Sequence, residues 1–292
     1  MGRPVVVAVD GSEESMRAVE WAAREAARWD APLRIVSAPA LLPRMRTYQA
    51  SPATVANALR GIAARALADA VDRVNEVAAG VLVDTDLLEG PPAVAVTDSG
   101  AGARLLVVGA RGLGGFAALV LGSVSRHAAT HALCPTVVVR EETAAVHGEI
   151  VVGVRDPDEA DATLGFAFEE AALRGAKLSA VHALSWHPLG PASSAPAAVG
   201  SRLPTATAEA AAKRHLQAVL DGWRQKYPDV AAAADVVRGH PAHLLSSRSA
   251  HADLVVIGRH GTAGGPEDSS IQHAVLGHAH GPVAIIPSAG FR

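Results

Sequence analysis

Leu105-Leu106-Val107-Val108-Gly109-Ala110-Arg111-Gly112, then nine residues, then Gly122-Ser123-Val124-Ser125, is the stretch that decides how this chain is read. Four apolar residues in a row, two of them valine, closed by a glycine, read as a buried parallel strand. Beyond that strand Gly109 and Gly112 are expected to turn the backbone at positive φ and to let it lie against a ligand where a Cβ would stand in the way. Gly122-Ser123 then reopens a helical pattern carried by Val124, Ala128 and Leu133. A helix that starts there aims its free N–H groups, and the Ser123 and Ser125 hydroxyls, back toward the strand end. Such an arrangement is a phosphate cradle, because donors and the positive end of the helix dipole coincide. A glycine pair by itself is also what an ordinary βα loop contains; the spacing G-x2-G-x9-G-S between strand and helix adds the specificity.

Bulk composition narrows the field around this stretch. A chain of 292 residues has room for two domains, each large enough for its own core. With 49% hydrophobic and 19% charged residues it reads as a globular, alanine-rich protein. A formal net charge of −3 gives no basic field, so nucleic acid is not an expected partner. The apolar runs fall far short of the roughly 18 residues needed to span a bilayer, so no membrane partner is expected either. The opening Met1-Gly2-Arg3-Pro4-Val5 lacks a signal-peptide pattern, and Val6 stands where a myristoylation motif has Ser or Thr. The single cysteine, Cys134, rules out an internal disulfide and fits a reducing compartment. The expected location is the cytoplasm.

The chain contains itself twice. Val7-Ala8-Val9-Asp10-Gly11-Ser12 is echoed by Val152-Gly153-Val154-Arg155-Asp156-Pro157, at an offset of 145. At that offset Trp21 meets Phe166, Ala26-Ala27 meets Ala171-Ala172, and Leu33 meets Leu178. Later, Glu89-Gly90-Pro91-Pro92-Ala93 is echoed by Arg238-Gly239-His240-Pro241-Ala242, and Leu105 to Gly109 by Leu254 to Gly258. Cys134-Pro135-Thr136-Val137-Val138-Val139 is matched by Gly281-Pro282-Val283-Ala284-Ile285-Ile286. A polar segment from Glu141 to Glu149 divides the repeats, which sets domains at residues 1–143 and 148–292.

Within the first repeat strands and helices alternate. Strands are expected at Val5 to Val9, Leu33 to Ser37, Val81 to Leu87, Leu105 to Gly109 and Thr136 to Arg140. Ser12 caps the first helix, with Glu13 and Glu14 complementing its dipole, and Asp30-Ala31-Pro32 stops it. A long helix is expected from about Thr54 to Ala79. Alternating elements with apolar strands mean an α/β fold, a doubly wound parallel sheet covered on both faces. Ligands bind such sheets beyond the carboxyl ends of the strands, where the winding reverses.

The spacing from Gly109 to Ser125 resembles the ATP-binding signature of the universal stress protein family. The resemblance covers residues 1–140 and 150–288, and it implies two five-stranded domains of strand order 3-2-1-4-5 in tandem. It brings Asp10 and Gly109 to the crevice, with Asp10 contacting the nucleotide or its magnesium ion; a helix cap is the plainer reading of Asp10. By the same carry-over Ala38 lies against the adenine, and Val9 and Val108 wall the base. Backbone around Gly109, Arg111 and Gly112 meets ribose and phosphate, and Gly122, Ser123, Val124 and Ser125 hold the phosphates. Arg111 reads equally well as a solvated loop cation. The implied role is ATP-linked stress response or growth regulation, and the implied assembly is a homodimer or an internal pseudo-dimer through the last strand of each domain. No nucleophile and no hydrolytic base stands out, so any ATP hydrolysis is expected to be slow.

The second repeat departs from the pattern. Arg155 replaces the aspartate, Gly258-Arg259-His260-Gly261 keeps two glycines, and the loop is then about two residues shorter, reaching Ser269-Ser270 where Gly122-Ser123 stand in the first. One ATP per chain is therefore expected. Ten of the thirteen histidines follow residue 148, in no metal-ligand spacing, and read as surface or pocket-rim residues. Cys134 reads as structural, and Trp21 and Trp29 as a shared core face of one helix. The loops Pro39 to Pro52 and Trp186 to Pro204 are expected to be mobile.

Two other classes of function remain open on the sequence. Gly112-Leu-Gly114-Gly-Phe-Ala117 matches the G-x-G-x-x-A dinucleotide fingerprint of nicotinamide-dependent oxidoreductases, though it follows the strand end rather than opening a domain. An interaction module with a vestigial nucleotide site is the other, since a last edge strand can pair with another copy.

Overall fold

The computed structural model describes residues 2–39, 51–113, 121–140, 146–184, 206–259 and 266–287. Two compact units divide it: Met1–Ala144 with His280–Arg292, and Ala145–Ala279. In chain order the first unit holds β1 (Val5–Ala8), α1 (Glu13–Arg28), β2 (Leu33–Ser37), α2 (Pro52–Val77), β3 (Val83–Leu87), α3 (Pro92–Ser99), β4 (Leu105–Gly109), α4 (Ser123–His131) and β5 (Thr136–Val139). The second holds β6 (Glu149–Gly153), α5 (Asp161–Arg174), β7 (Lys177–Leu184), α6 (Ala206–Lys226), β8 (Ala232–Arg238), α7 (Pro241–Arg248), β9 (Leu254–Arg259) and α8 (Pro266–His278). The last strand, β10 (Val283–Pro287), belongs to the first unit.

In the first unit the strands run parallel in the order β3-β2-β1-β4-β5. Val7 sits between Ile35 on one side and Val107 on the other, so the apolar runs of β1, β2 and β4 form one buried layer. β10 then pairs antiparallel with β5, Val283 opposite Val138 and Ile285 opposite Thr136, and every residue of it is buried. In the second unit the parallel order is β9-β6-β7-β8, with Ile150 between Leu178 and Leu254. The doubly wound α/β architecture is thus the one read from the sequence. What the sequence did not show is that the fifth strand of the second repeat is counted in the contacts of the first.

α1 shows why these elements begin and end where they do. The Ser12 hydroxyl accepts the Ser15 N–H at 3.2 Å, and Glu13 and Glu14 fill the first turn. Ala18, Val19, Ala22, Ala23 and Ala26 then face the sheet; their small side chains let the helix sit close to it. The helix stops at Arg28, and Asp30 takes the left-handed conformation at φ 47°. Trp29 is therefore a C-cap outside the helix, not a partner of Trp21 on one core face; both rings are half-buried. The guanidinium of Arg104 lies 3.4 Å from the centre of the Trp29 ring, and the indole N–H donates to Glu25 at 3.0 Å. Leu133 also departs from expectation, since α4 ends at His131 and leaves Leu133 78% exposed.

Candidate functional site

Three chain segments meet beyond the carboxyl ends of β1 and β4: the turn Val9 to Ser12, the loop Ala110 to Leu113, and the first turn of α4. Asp10 ties the first two together. Its Oδ1 accepts from the Ser12 N–H at 3.0 Å and the Ser12 hydroxyl at 2.6 Å, and its Oδ2 accepts from the Leu113 N–H at 2.8 Å. Both readings of Asp10 made from sequence have a trace here: it supports the cap of α1 through Ser12, and it stands in the crevice.

The glycines serve close approach and not a left-handed turn. Gly11 has φ 86°, but Gly109, Gly112 and Gly122 are not among the positive-φ residues, which corrects the expectation for Gly109 and Gly112. A Cβ on Gly109 would lie 2.8 Å from the Glu14 carbonyl oxygen, so β4 ends directly beneath the first turn of α1. A Cβ on Gly112 would overlap the Asp10 carboxylate. Gly122 donates its N–H to the Ala110 carbonyl at 2.8 Å, which closes the loop on itself. A Cβ there would stand 3.3 Å from the same oxygen.

Of the serines, Ser125 is buried and donates to the Gly109 carbonyl at 2.6 Å. Its hydroxyl proton fastens α4 to the end of β4. Ser123 is exposed. Gly122 is the N-cap and makes no side-chain cap bond, so the N–H groups of Ser123, Val124 and Ser125 have no acceptor among the described residues. Arg111 is paired with Glu14 at 3.4 Å. Val9 and Val108 are buried in the strand layer, and Ala38 is half-buried just beyond β2.

A cleft of about 510 Å³ opens beside this cluster, between α2 and the Asp10–Leu113 contact. Its walls include Ala58, Gly61, Ile62 and Arg65 on α2, with Asp10 and Leu113 opposite. Of the residues singled out from sequence only Asp10 lines it; Val9, Ala38 and Val108 do not. Sequence reading placed the long helix α2 but did not bring it to this cleft. No local signal marked it: an interior glycine such as Gly61 also occurs at Gly222 in α6, away from the cleft. The nicotinamide fingerprint beyond Leu113, residues 40–50 and 185–205 of the two long loops, and residues 260–265 lie outside the described residues.

The universal stress protein family model matches residues 1–140 and again residues 148–287. The chain belongs to that family. A universal stress protein of Mycolicibacterium smegmatis is 32% identical over 302 residues, covering 97% of this chain and 96% of its own. The crystal structure of a universal stress protein from Archaeoglobus fulgidus shares the fold at a TM-score of 0.72 and 16% identity, covering 98% of this chain and 96% of that one. A universal stress protein solved in complex with cAMP is 31% identical, covering 49% of this chain and 98% of its own, at a TM-score of 0.36.

In the second universal stress protein domain the same region is built differently. Arg155 pairs with Glu159 at 3.5 Å. His182, where the first domain has Ser37, shares a hydrogen bond of 2.9 Å between its Nδ1 and the Val154 carbonyl. α8 begins at Pro266, whereas Ser270, the counterpart of Ser123, is its fifth residue. At about 1.5 Å of rise per residue the helix start is displaced by roughly 6 Å. At the opposite end of the sheet, burial pushes the Glu149 carboxyl up. Hydrogen bonds from Ser179 and Lys177, with the charges of Lys177 and Arg248, outweigh that and hold it below its usual range. His240, His243, His251, His273, His278 and His280 are exposed, and among the described residues no group of three or more His, Cys, Asp and Glu could hold a metal ion. Cys134 is buried against Gly100. No helix among the described residues is long and apolar enough to cross a membrane.

Proposed function

We propose that this universal stress protein binds ATP in its first domain, residues 1–143, and that the second domain, 148–292, has lost that capacity. The observation that carries the reading is the start of α4. Three N–H groups without an acceptor among the described residues open α4, whose start is held by the Ser125 hydroxyl on Gly109 and the Gly122 N–H on Ala110. A phosphate chain supplies the acceptors and the negative charge that such a helix end favours. Asp10 is assigned to the loop and not to magnesium, because its two oxygens already accept three donors. A magnesium ion bound with the nucleotide would be carried mainly by the phosphates. The cellular role is stress response or growth regulation in the cytoplasm, as the family implies.

Isothermal titration of the full chain with ATP, before and after Gly122→Glu, tests this. The new carboxylate and its bulk stand where phosphate should lie, so affinity should fall by more than tenfold; equal affinity refutes the assignment. A second reading, an interaction module, has one observation in its favour: β5 and β10 pair antiparallel, as the last strands of a pseudo-dimer would. Purified protein carrying no nucleotide, and taking none up on titration, would leave that reading standing.

A further inference from the structure

We propose that His127 and His131, on successive turns of α4, form a two-imidazole site for a borderline divalent metal ion such as zinc. The proposal is independent of the nucleotide reading and uses residues that it leaves aside.

The spacing comes from the sequence. His127-Ala128-Ala129-Thr130-His131 sets two imidazoles four residues apart, on one face of α4. Their ring centres lie 4.3 Å apart with 24° between the planes, so the rings stack and their edges run side by side. His127 is half-buried and His131 exposed, so the pair can be reached from solvent.

Hydrogen-bond accounting then fixes where the lone pairs are. The Nδ1 of His131 lies 3.1 Å from the His127 carbonyl oxygen; a carbonyl only accepts, so this nitrogen carries a proton. The Nδ1 of His127 lies 2.9 Å from the Thr97 hydroxyl oxygen. Thr97 has one hydroxyl proton, and it goes to the Ala93 carbonyl at 2.7 Å. Toward His127 that hydroxyl therefore accepts, and the Nδ1 of His127 is protonated as well. In the neutral rings both lone pairs then sit on Nε2, the form in which imidazole binds a metal. A ring N–H held by a neighbouring oxygen is also the support that metal-bound histidines carry. Thr97 is 6% exposed and sits on α3, so the fold and not the solvent orients the His127 ring.

The donor set selects the ion. Imidazole suits zinc, copper and nickel, whereas magnesium takes oxygen ligands. No third protein ligand joins the pair among the described residues, so water completes a tetrahedral ion. Ala128 stands where the H-E-x-x-H signature has its general base, so the pair is equipped to bind a metal and not to hydrolyse with it. A bound ion would tie two turns of α4 together and, through His127 and Thr97, fasten them to α3.

The test uses the full chain freed of metal by a chelator, with zinc alone as the probe. Calorimetric titration should give one site, and zinc should raise the melting temperature because it binds the folded helix. His131→Ala should weaken that site at least tenfold and abolish the rise. The metal-free melting temperature should hardly move, since the side chain is exposed. His278→Ala, at another exposed histidine in the last turn of α8, should change neither reading. Magnesium should have no effect. Long-range proton–nitrogen spectra of the wild type need no variant. At mildly alkaline pH both rings should show a protonated Nδ1, and zinc should shift both Nε2 resonances. The proposal is overturned if the wild type has no zinc site, if His131→Ala binds as tightly, or if His278→Ala loses as much. A magnesium response equal to that of zinc overturns it too, as does a proton on either Nε2 in those spectra. If His131→Ala does not fold, the spectra decide: zinc shifts at other histidines in place of these two refute the site.

Discussion

Asp10 and Arg155 occupy the same point of the repeat, 145 residues apart, and almost everything that separates the two domains is arranged around them. In the first domain a carboxylate gathers Ser12 and Leu113, and α4 begins where its N–H groups meet the loop so gathered. In the second, Arg155 turns to Glu159, a histidine meets the preceding carbonyl, and the helix starts one turn early. The sheets beneath are alike: both set a valine-rich first strand between its two parallel neighbours. Both helices after that strand also bury a carboxylate, Glu25 beside Arg28 and Glu170 beside Arg174. The difference is local: the helix after the loop starts one turn earlier in the second domain while the sheet beneath is unchanged.

The largest effect should come from Gly109→Val. Its Cβ would meet backbone atoms of Glu14 and Ser15, which cannot swing aside as a side chain can. Overpacking of this kind costs about 1–3 kcal/mol, read as a shift of the denaturant midpoint, with nucleotide binding lost as well. At Gly153, the end of β6, the nearest atoms are side-chain carbons of Leu245 and Ile257, so Gly153→Ala should cost less. Equal losses at the two sites would remove the contrast between backbone and side-chain contact.

Asp10→Ala comes next. It strips acceptors from Ser12 and Leu113 and should cost about 1–3 kcal/mol, with a weaker ATP affinity because the loop is no longer fastened. The reciprocal change, Arg155→Asp, should restore nothing: equilibrium dialysis should still give one ATP per chain, because α8 keeps its early start. A second equivalent of bound ATP would mean that the charge at this position, and not the helix start, separates the domains.

A smaller contrast lies at the ends of α1 and α5, where Asp30 at φ 47° and Gly175 at φ 60° hold the same left-handed position. Gly175→Asp should lose about 1 kcal/mol and Asp30→Gly gain somewhat less, since aspartate tolerates that conformation better than most residues. The smallest effect is on acid stability. With its pKa held below the usual carboxylate range, Glu149 adds stability that is present above about pH 4.3 and lost as pH falls through the lower folded value. Glu149→Gln should remove that part of the pH dependence, visible as converging melting curves of variant and wild type in acid.

Legibility followed the physics of each signal. β2 and β4 stand where their apolar runs place them, and Ser12 caps α1, because these features depend on neighbours close in sequence. The glycines were found but misread: glycine permits both positive φ and close approach, and only the position of Glu14 above Gly109 decides between them. The bond from the Ser125 hydroxyl to the Gly109 carbonyl was not foreseen, because nothing local in sequence says which acceptor a hydroxyl near a strand end will reach. The cleft on α2 was invisible for another reason. It is made by the approach of residues about fifty apart, which no local pattern records.

The pairing of β10 with β5 also has a consequence in time. β5 leaves the ribosome about halfway through synthesis, whereas its neighbour, residues 283–287, comes near the end of the 292-residue chain. At about 5–20 residues per second the nascent first domain waits roughly ten to thirty seconds with that edge strand unpaired. Its sheet is thus finished last although it is begun first. During that interval an exposed strand edge is open to chaperones, and to other nascent copies of the same chain.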